Sequence, residues 1–162
     1  MNHPAKASVR RVALPLALLF AAGSMVSCSS EAPRNSAGEV TASAVAAAAS
    51  IKVGDCTGEL KEGSLSTADL VPCAQAHYFE AYASKTLTDG DFPGEESLRK
   101  SADTYCNDQF ETFVGVGSND STYVVFHLTP VAETWATGDR QILCLAGSEK
   151  GGLTGSLKGT EK

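Results

Sequence analysis

The chain has 162 residues, of which 43% are hydrophobic, and it carries 13 basic and 19 acidic residues. Three of the 13 basic residues precede Cys28 and all 19 acidic residues follow it, so the part from Cys28 onward has 10 basic residues and a net charge of −9. This charge excludes the basic surface of a nucleic-acid-binding protein and argues against docking on anionic lipid. The acidic residues are scattered, which indicates a role in solubility rather than a ligand site.

The first 27 residues are organised like an export signal. Lys6, Arg10 and Arg11 precede an apolar run at 12–22, which is about half as long as the roughly 20 residues of a membrane-spanning helix. The sequence "MVSC" at 25–28 resembles a bacterial lipobox, whose cysteine is acylated and becomes the first residue of the mature protein. We therefore predict a lipoprotein signal peptide at 1–27, with Cys28 carrying acyl chains such as palmitate. An ordinary secretory signal is the alternative. Several acyl chains would hold the protein stably at the extracytoplasmic face of the cell membrane.

Residues 28–50 contain almost no large apolar side chain and are rich in alanine and serine. Such a segment buries too little surface to offset the entropy of ordering. We predict a flexible tether that reaches on the order of 25 Å and lifts the following domain off the membrane. Residues 51–162 are then one domain of ordinary size.

The domain begins with a short strand or extended lead-in at 51–56 and a polar loop that ends at Cys73. Residues 78–86 alternate, with Phe79, Ala81 and Ala83 on one side, which predicts a strand. After a turn at 89–94, apolar residues recur every three or four positions and predict a helix with one apolar face, made by Leu98, Ala102, Cys106, Phe110 and Phe113.

Two further strands are predicted at 122–129 and 140–146, followed by a glycine-rich tail at 147–162. Ile142 and Cys144 lie on the same face of the last strand, because side chains alternate along a strand. The order of strand, helix, strand and strand predicts an α+β fold, in which one main helix covers a small antiparallel sheet.

Four cysteines follow Cys28, and an even set in an exported domain predicts disulfides. Spacing alone permits three pairings. The apolar face of the helix, which includes Cys106, should cover the sheet face that includes Cys144, so we predict the pairs Cys106–Cys144 and Cys56–Cys73. The sequence has no Cys-x-x-Cys motif, and so no redox or zinc-ribbon signature of that type.

Candidate residues for chemistry are few. His77 lies four residues after Cys73, which would permit a Cys–His nucleophile pair, but we expect His77 to make a structural hydrogen bond at the entrance of its strand. Trp135 is expected either to cover the core or to be an exposed binding aromatic. Asp139 and Arg140 are expected to turn the chain into the last strand, with Arg140 in an ion pair or at a helix end. No catalytic residue, metal site or cofactor is predicted.

Several motifs together are similar to the septum-formation domain family of actinobacteria. They are "VGDC" at 53–56, "VPCAQAHYFEAY" at 71–82, "FPG" at 92–94, and "W..GDRQILC" at 135–144 with "LTGSLKG" beyond. The family usually has Pro-His where this chain has Ala76-His77. The resemblance implies a role in cell division, but it implies no reaction.

We therefore expect a non-enzymatic, lipid-anchored envelope domain that binds or scaffolds an envelope or division protein. The alternatives are a hydrolase that acts on the cell wall and a small-ligand or metal sensor that uses His77 and His127.

Overall fold

A computed structural model of the protein describes residues 31–60 and 66–162. The predicted signal peptide and Cys28 lie outside the described residues. Six antiparallel strands form one sheet in the order β1-β3-β2-β4-β6-β5. The strands are β1 Ala44–Ala47, β2 Cys56–Thr57, β3 Thr67–Val71, β4 Phe79–Thr86, β5 Val124–Leu128 and β6 Gln141–Gly147. The helices are α1 Glu95–Val114, the short α2 Ala132–Ala136, and one 3₁₀ turn at Ala48–Ser50. No helix in the described part of the chain is both long and apolar enough to cross a membrane.

The sheet carries a hydrophobic core on each of its two faces. The inner core lies where the sheet curls on itself and consists of Ala32, Val40, Ala46, Ile51, Leu60, Ala68, Leu70, Phe79, Ala81, Leu143 and Leu145. The helix-side core lies under α1 and consists of Tyr82, Ala102, Cys106, Phe110, Val114, Tyr123, Ile142, Cys144, Ala146 and Leu157. Neighbouring residues of β6 belong to different cores because side chains alternate across a strand. The α+β fold with one main helix on an antiparallel sheet is confirmed.

Helix α1 lies where the apolar spacing predicts it. Its fully buried side chains follow at intervals of four residues, and they are Leu98, Ala102, Cys106, Phe110 and Val114. The predicted Phe113 is half-buried and stacks on Tyr82 at 5.3 Å between ring centroids. The helix ends at Gly115, whose φ of 100° is a left-handed conformation that glycine adopts without strain.

Strand β4 departs from the predicted alternation at Tyr82. The pairing with β6 is Ala81 to Leu145 and then Ala83 to Cys144, so that Tyr82 is an extra residue in a β-bulge. The prediction that Ala83 shares a face with Ala81 is therefore wrong, because the bulge turns Ala83 toward the helix-side core. The Tyr82 hydroxyl donates a hydrogen bond of 2.6 Å to the carbonyl of Cys106, and burial raises the pKa of Tyr82 well above its usual range.

Residues 31–50 are part of the fold, so the predicted tether at 28–50 is wrong over this range. Strand β1 pairs with β3 from Ala44–Leu70 to Ala47–Thr67. Ala32, Val40 and Ala46 are at most 8% exposed. The segment lacks large apolar residues, but its small side chains fit against the inner core, whose larger residues come from later strands.

The C-terminal segment, residues 148–162, also packs onto the domain. Leu153 forms an isolated β-bridge with His77, and Leu157 is 2% exposed in the helix-side core. The backbone amides of Gly159 and Glu161 donate hydrogen bonds to the carbonyls of Phe113 and Val114. These carbonyls are at the end of α1 and have no partner within the helix, so the C-terminal segment caps it.

Both predicted disulfides are confirmed. Cys56–Cys73 has a Cα–Cα distance of 5.1 Å and joins β2 to the loop after β3, and Cys106–Cys144, at 5.4 Å, joins α1 to β6. Both cysteines of the second pair are fully buried in the helix-side core. The four cysteines are thus cross-links and not free thiols.

Candidate functional site

The residues that the sequence singled out at 135–140 form one corner of the molecule, between α2 and β6. We call residues 134–141 the tryptophan corner. Helix α2 ends as the amides of Thr137 and Gly138 donate hydrogen bonds back to the carbonyls of Thr134 and Trp135. Gly138 has a φ of 99°, a conformation that favours glycine, and it redirects the chain into β6. The Asp139 carboxylate then accepts a 3.1 Å hydrogen bond from the amide of Gln141, which fixes the turn.

Trp135 is 7% exposed and is therefore not an exposed binding aromatic. Its indole Nε1 donates a 3.0 Å hydrogen bond to the carbonyl of Gly90. The rings of Trp135 and Phe92 pack edge to face, with their centroids 5.8 Å apart. Trp135 therefore fastens the loop before α1 to the tryptophan corner.

Arg140 covers the exposed side of this aromatic cluster. Its guanidinium carbon lies 3.8 Å from the centroid of the Trp135 ring, a cation–π contact. Its Nη1 donates to the carbonyls of Trp135 and Asp139 at 2.7 and 2.8 Å, and its Nε donates to Asp89 at 3.1 Å. The Asp89 side chain is 95% exposed, so the ion pair contributes little and the carbonyl contacts position the guanidinium. Arg140 thus combines the two predicted roles, an ion pair and a bond to a helix end.

An open groove of about 540 Å³ runs along the tryptophan corner. Side chains with hydroxyl, carboxylate, amide and guanidinium groups line it, and they belong to Thr86, Thr134, Thr137, Asp139, Arg140 and Gln141, with Gly138 and Ala49 beside them. These groups can hydrogen-bond a polar ligand or a polypeptide segment, and the fixed Arg140 gives the groove a rigid charged wall. We call it the corner groove.

A second open groove of about 410 Å³ lies along the outer side of α1. Lys85 and Lys100 line it together with Ser97, Ser101, Thr104, Tyr105 and Asp108. The Lys85 ammonium lies 5.5 Å from the centroid of the Tyr105 ring, and the Tyr105 hydroxyl donates to the carbonyl of Ser84. The groove thus presents two cations and one carboxylate.

The two histidines lie in different surroundings. His77 is 1% exposed, and its Nδ1 lies 2.9 Å from the carbonyl of Gln75. A carbonyl only accepts, so Nδ1 donates this hydrogen bond, and Nε2 is buried without a hydrogen-bond partner in the described residues. His127 lies on β5 with its Nε2 3.0 Å from Asp103 of α1. Each histidine thus has its own local partner, and they share none.

The structure removes the Cys–His nucleophile pair, because the Cys73 sulfur is bonded to Cys56. Among residues 31–60 and 66–162, no group of three or more His, Cys, Asp or Glu side chains is placed to hold a metal ion.

Two buried carboxylates were not anticipated from the sequence. Asp55, 2% exposed, accepts paired hydrogen bonds of 2.6 and 2.7 Å from Arg34, and these bonds raise the pKa of Arg34 above its ordinary value. Glu80, 4% exposed, accepts hydrogen bonds from the Ser156 hydroxyl at 2.8 Å and the Leu157 amide at 2.6 Å. The sequence feature that could have indicated the pair with Asp55 is Arg34, the single basic residue of the segment 28–50. Asp55 thus fixes the N-terminal segment to the domain, and Glu80 fixes the C-terminal segment.

Comparison with known proteins identifies the family but no individual relative. No curated protein and no solved structure matches the chain. The sequence profile of one family, described as septum formation, matches residues 21–150. This range contains both disulfides, the tryptophan corner and all six strands. The match covers most of the chain and agrees with the motifs at 53–56, 71–82 and 135–144, so the chain belongs to the septum formation family.

Proposed function

We propose that the protein is a non-enzymatic, lipid-anchored domain of the cell envelope that binds or scaffolds a protein partner during septum formation. The observation that carries this proposal is the match of the septum formation family to residues 21–150. The lipobox-like "MVSC" at 25–28 supports an anchor at Cys28 on the extracytoplasmic face of the membrane. The two disulfides support an oxidising compartment outside the cytoplasm.

The corner groove is the surface that we propose for the partner. Its polar groups lie on a rigid frame, since Arg140 is held by Trp135 and by two backbone carbonyls. A rigid surface loses little conformational entropy on binding. A net charge of −9 from Cys28 onward argues against nucleic acid as the partner.

Site-specific photo-crosslinking in living cells tests this proposal. A photo-reactive amino acid replaces Thr86, which is exposed and lines the corner groove, and in a matched variant it replaces Thr154, which is exposed and lies outside the groove. We expect Thr86 to crosslink to an envelope or division protein and Thr154 not to do so. Equal crosslinking from the two positions would contradict the groove as the binding surface.

Two further measurements test the other parts of the proposal. Cys28→Ala should release the protein from the membrane fraction or leave it unprocessed, and continued lipid attachment in this variant would contradict the anchor. The soluble domain should not cleave purified cell-wall polymer, and turnover of that substrate would contradict the non-enzymatic role.

A further inference from the structure

We infer that the lipid anchor holds the domain directly against the bilayer, with the N-terminal segment and the turn at 52–55 facing the lipid. The inference rests on the proposed acylation of Cys28. It differs from the tether that the composition of residues 28–50 predicts, because residues 31–50 pack onto the domain.

The distance follows from covalent geometry. Three Cα–Cα steps separate Cys28 from Glu31, and at about 3.8 Å each they span at most about 11 Å. A compact domain of this size has a radius of gyration of about 14 Å. The link is shorter than the radius of the domain, so it cannot lift the domain away from the membrane surface.

The N-terminal segment is fixed to the domain from its first described residues. Arg34 is bound to the buried Asp55 by two hydrogen bonds, and its Nη1 also donates to the carbonyl of Gly38. Ala32 and Val40 are 6% and 8% exposed within the inner core. Releasing this segment would expose apolar side chains and leave a buried carboxylate without its cation, which opposes its use as a longer tether.

Glu31 locates the membrane-facing surface. Its carboxylate lies 3.6 Å from the ammonium group of Lys52, so the turn at 52–55 lies beside the point at which the chain leads to the anchor. The next residue in that turn, Val53, is 51% exposed and is one of three exposed large apolar side chains in the described part of the chain. An apolar side chain beside a mixed pair of charges suits the headgroup region of a neutral bilayer.

Helix α1 then faces away from the bilayer. It covers the helix-side core, whereas the N-terminal segment packs into the inner core on the opposite face of the sheet. The groove that Lys85 and Lys100 line therefore remains open to the extracytoplasmic space.

Lysine labelling of the full lipidated chain on phosphatidylcholine vesicles tests this orientation. Lys52 and Lys100 are both exposed in the structure, so a membrane-impermeant amine-acylating reagent, read by mass spectrometry, compares the two faces without any substitution. We expect labelling of Lys52 to fall several-fold relative to the soluble domain, whereas labelling of Lys100 stays unchanged. Unchanged labelling of Lys52 in the anchored chain would overturn the inference.

A spacer variant provides the matched control. Fifteen Gly and Ser residues inserted between Ser30 and Glu31 span roughly 20 Å as a flexible chain, and they should restore labelling of Lys52 to that of the soluble domain. Neutron reflectometry on a supported bilayer should show protein density beginning within about 11 Å of the headgroups for the native chain and farther out for the spacer variant. A water layer of about 25 Å under the native chain, as a flexible tether would give, would overturn the inference.

Failure of the anchor and failure of the orientation give different results. If mass spectrometry finds no lipid on Cys28, the proposed anchor is wrong, and a chain coupled through the Cys28 thiol to a maleimide lipid still measures the orientation. If Cys28 is lipidated but Lys52 labels freely, the anchor stands and the orientation is wrong.

Discussion

Replacement of Arg34 by methionine should destabilise the domain strongly, although Arg34 lies in a segment whose composition is typical of a linker. Arg34→Met keeps the aliphatic stem but removes both hydrogen bonds to Asp55, which is 2% exposed. Among the described residues, Asp55 then keeps only the 2.8 Å hydrogen bond from the amide of Lys52. Removing one partner of a buried ion pair typically costs about 3–5 kcal/mol. The Arg34 side chain is 15% exposed, so the lower end, about 3 kcal/mol, applies. For a domain of this length that loss lowers the melting temperature by about 10 °C.

Differential scanning calorimetry of the soluble domain, with its disulfides intact, measures the effect. Lys52→Ala is the matched control, since it removes the neighbouring pair with Glu31, in which the side chains are 58% and 66% exposed. An exposed pair contributes at most about 1 kcal/mol, so the control should lose only a few degrees. The double variant Arg34→Met/Asp55→Leu should recover much of the loss, because it leaves no buried charge unpaired. If the melting temperature of Arg34→Met lies within a degree of that of the control, the N-terminal segment does not stabilise the domain. The prediction of a flexible tether would then stand.

Three further substitutions test other parts of the fold. Cys106→Ala/Cys144→Ala should lower the free energy of unfolding by roughly 4 kcal/mol, because the disulfide closes a loop of 38 residues. Denaturant titration measures this loss, and a loss below about 1 kcal/mol would contradict the expected stabilisation. His77→Gln should lower the melting temperature by a few degrees, because a buried hydrogen bond contributes about 1 kcal/mol; loss of function in the cell with unchanged stability would instead indicate a binding role. Glu80→Gln removes the charge that accepts the amide of Leu157, so hydrogen exchange at that amide should accelerate, and unchanged protection would contradict its role.

The elements with large apolar side chains were predictable from the sequence. Helix α1 and strands β4, β5 and β6 lie where the periodicity of Leu, Ile, Val and Phe indicates, and the disulfide between α1 and β6 follows from the faces that this periodicity defines. Strands β1 and β3 were missed. Their buried residues are mainly alanines, such as Ala46 and Ala68, and an alanine gives little contrast in a hydropathy pattern.

The candidate site was predictable in its residues but not in its geometry. The sequence singled out Trp135, Asp139 and Arg140, which all lie at the tryptophan corner. It did not indicate that Gly90 would accept the indole hydrogen bond, because that contact joins residues 45 positions apart. Long-range partners of this kind depend on tertiary packing, which local patterns do not encode.

The C-terminal segment has a consequence for the order in which the chain can fold. A chain that emerges from a ribosome or an export channel presents its N-terminal residues first, so residues 156–161 arrive after the last strand, β6. Until they arrive, Glu80 lacks the hydrogen bonds of Ser156 and Leu157, and the final carbonyls of α1 lack the amides of Gly159 and Glu161. Each of these deficits opposes burial of the surrounding strands. The domain should therefore reach its native state only after residue 161 has emerged, and a nascent chain that ends at residue 150 should stay sensitive to protease although it holds every described strand and helix.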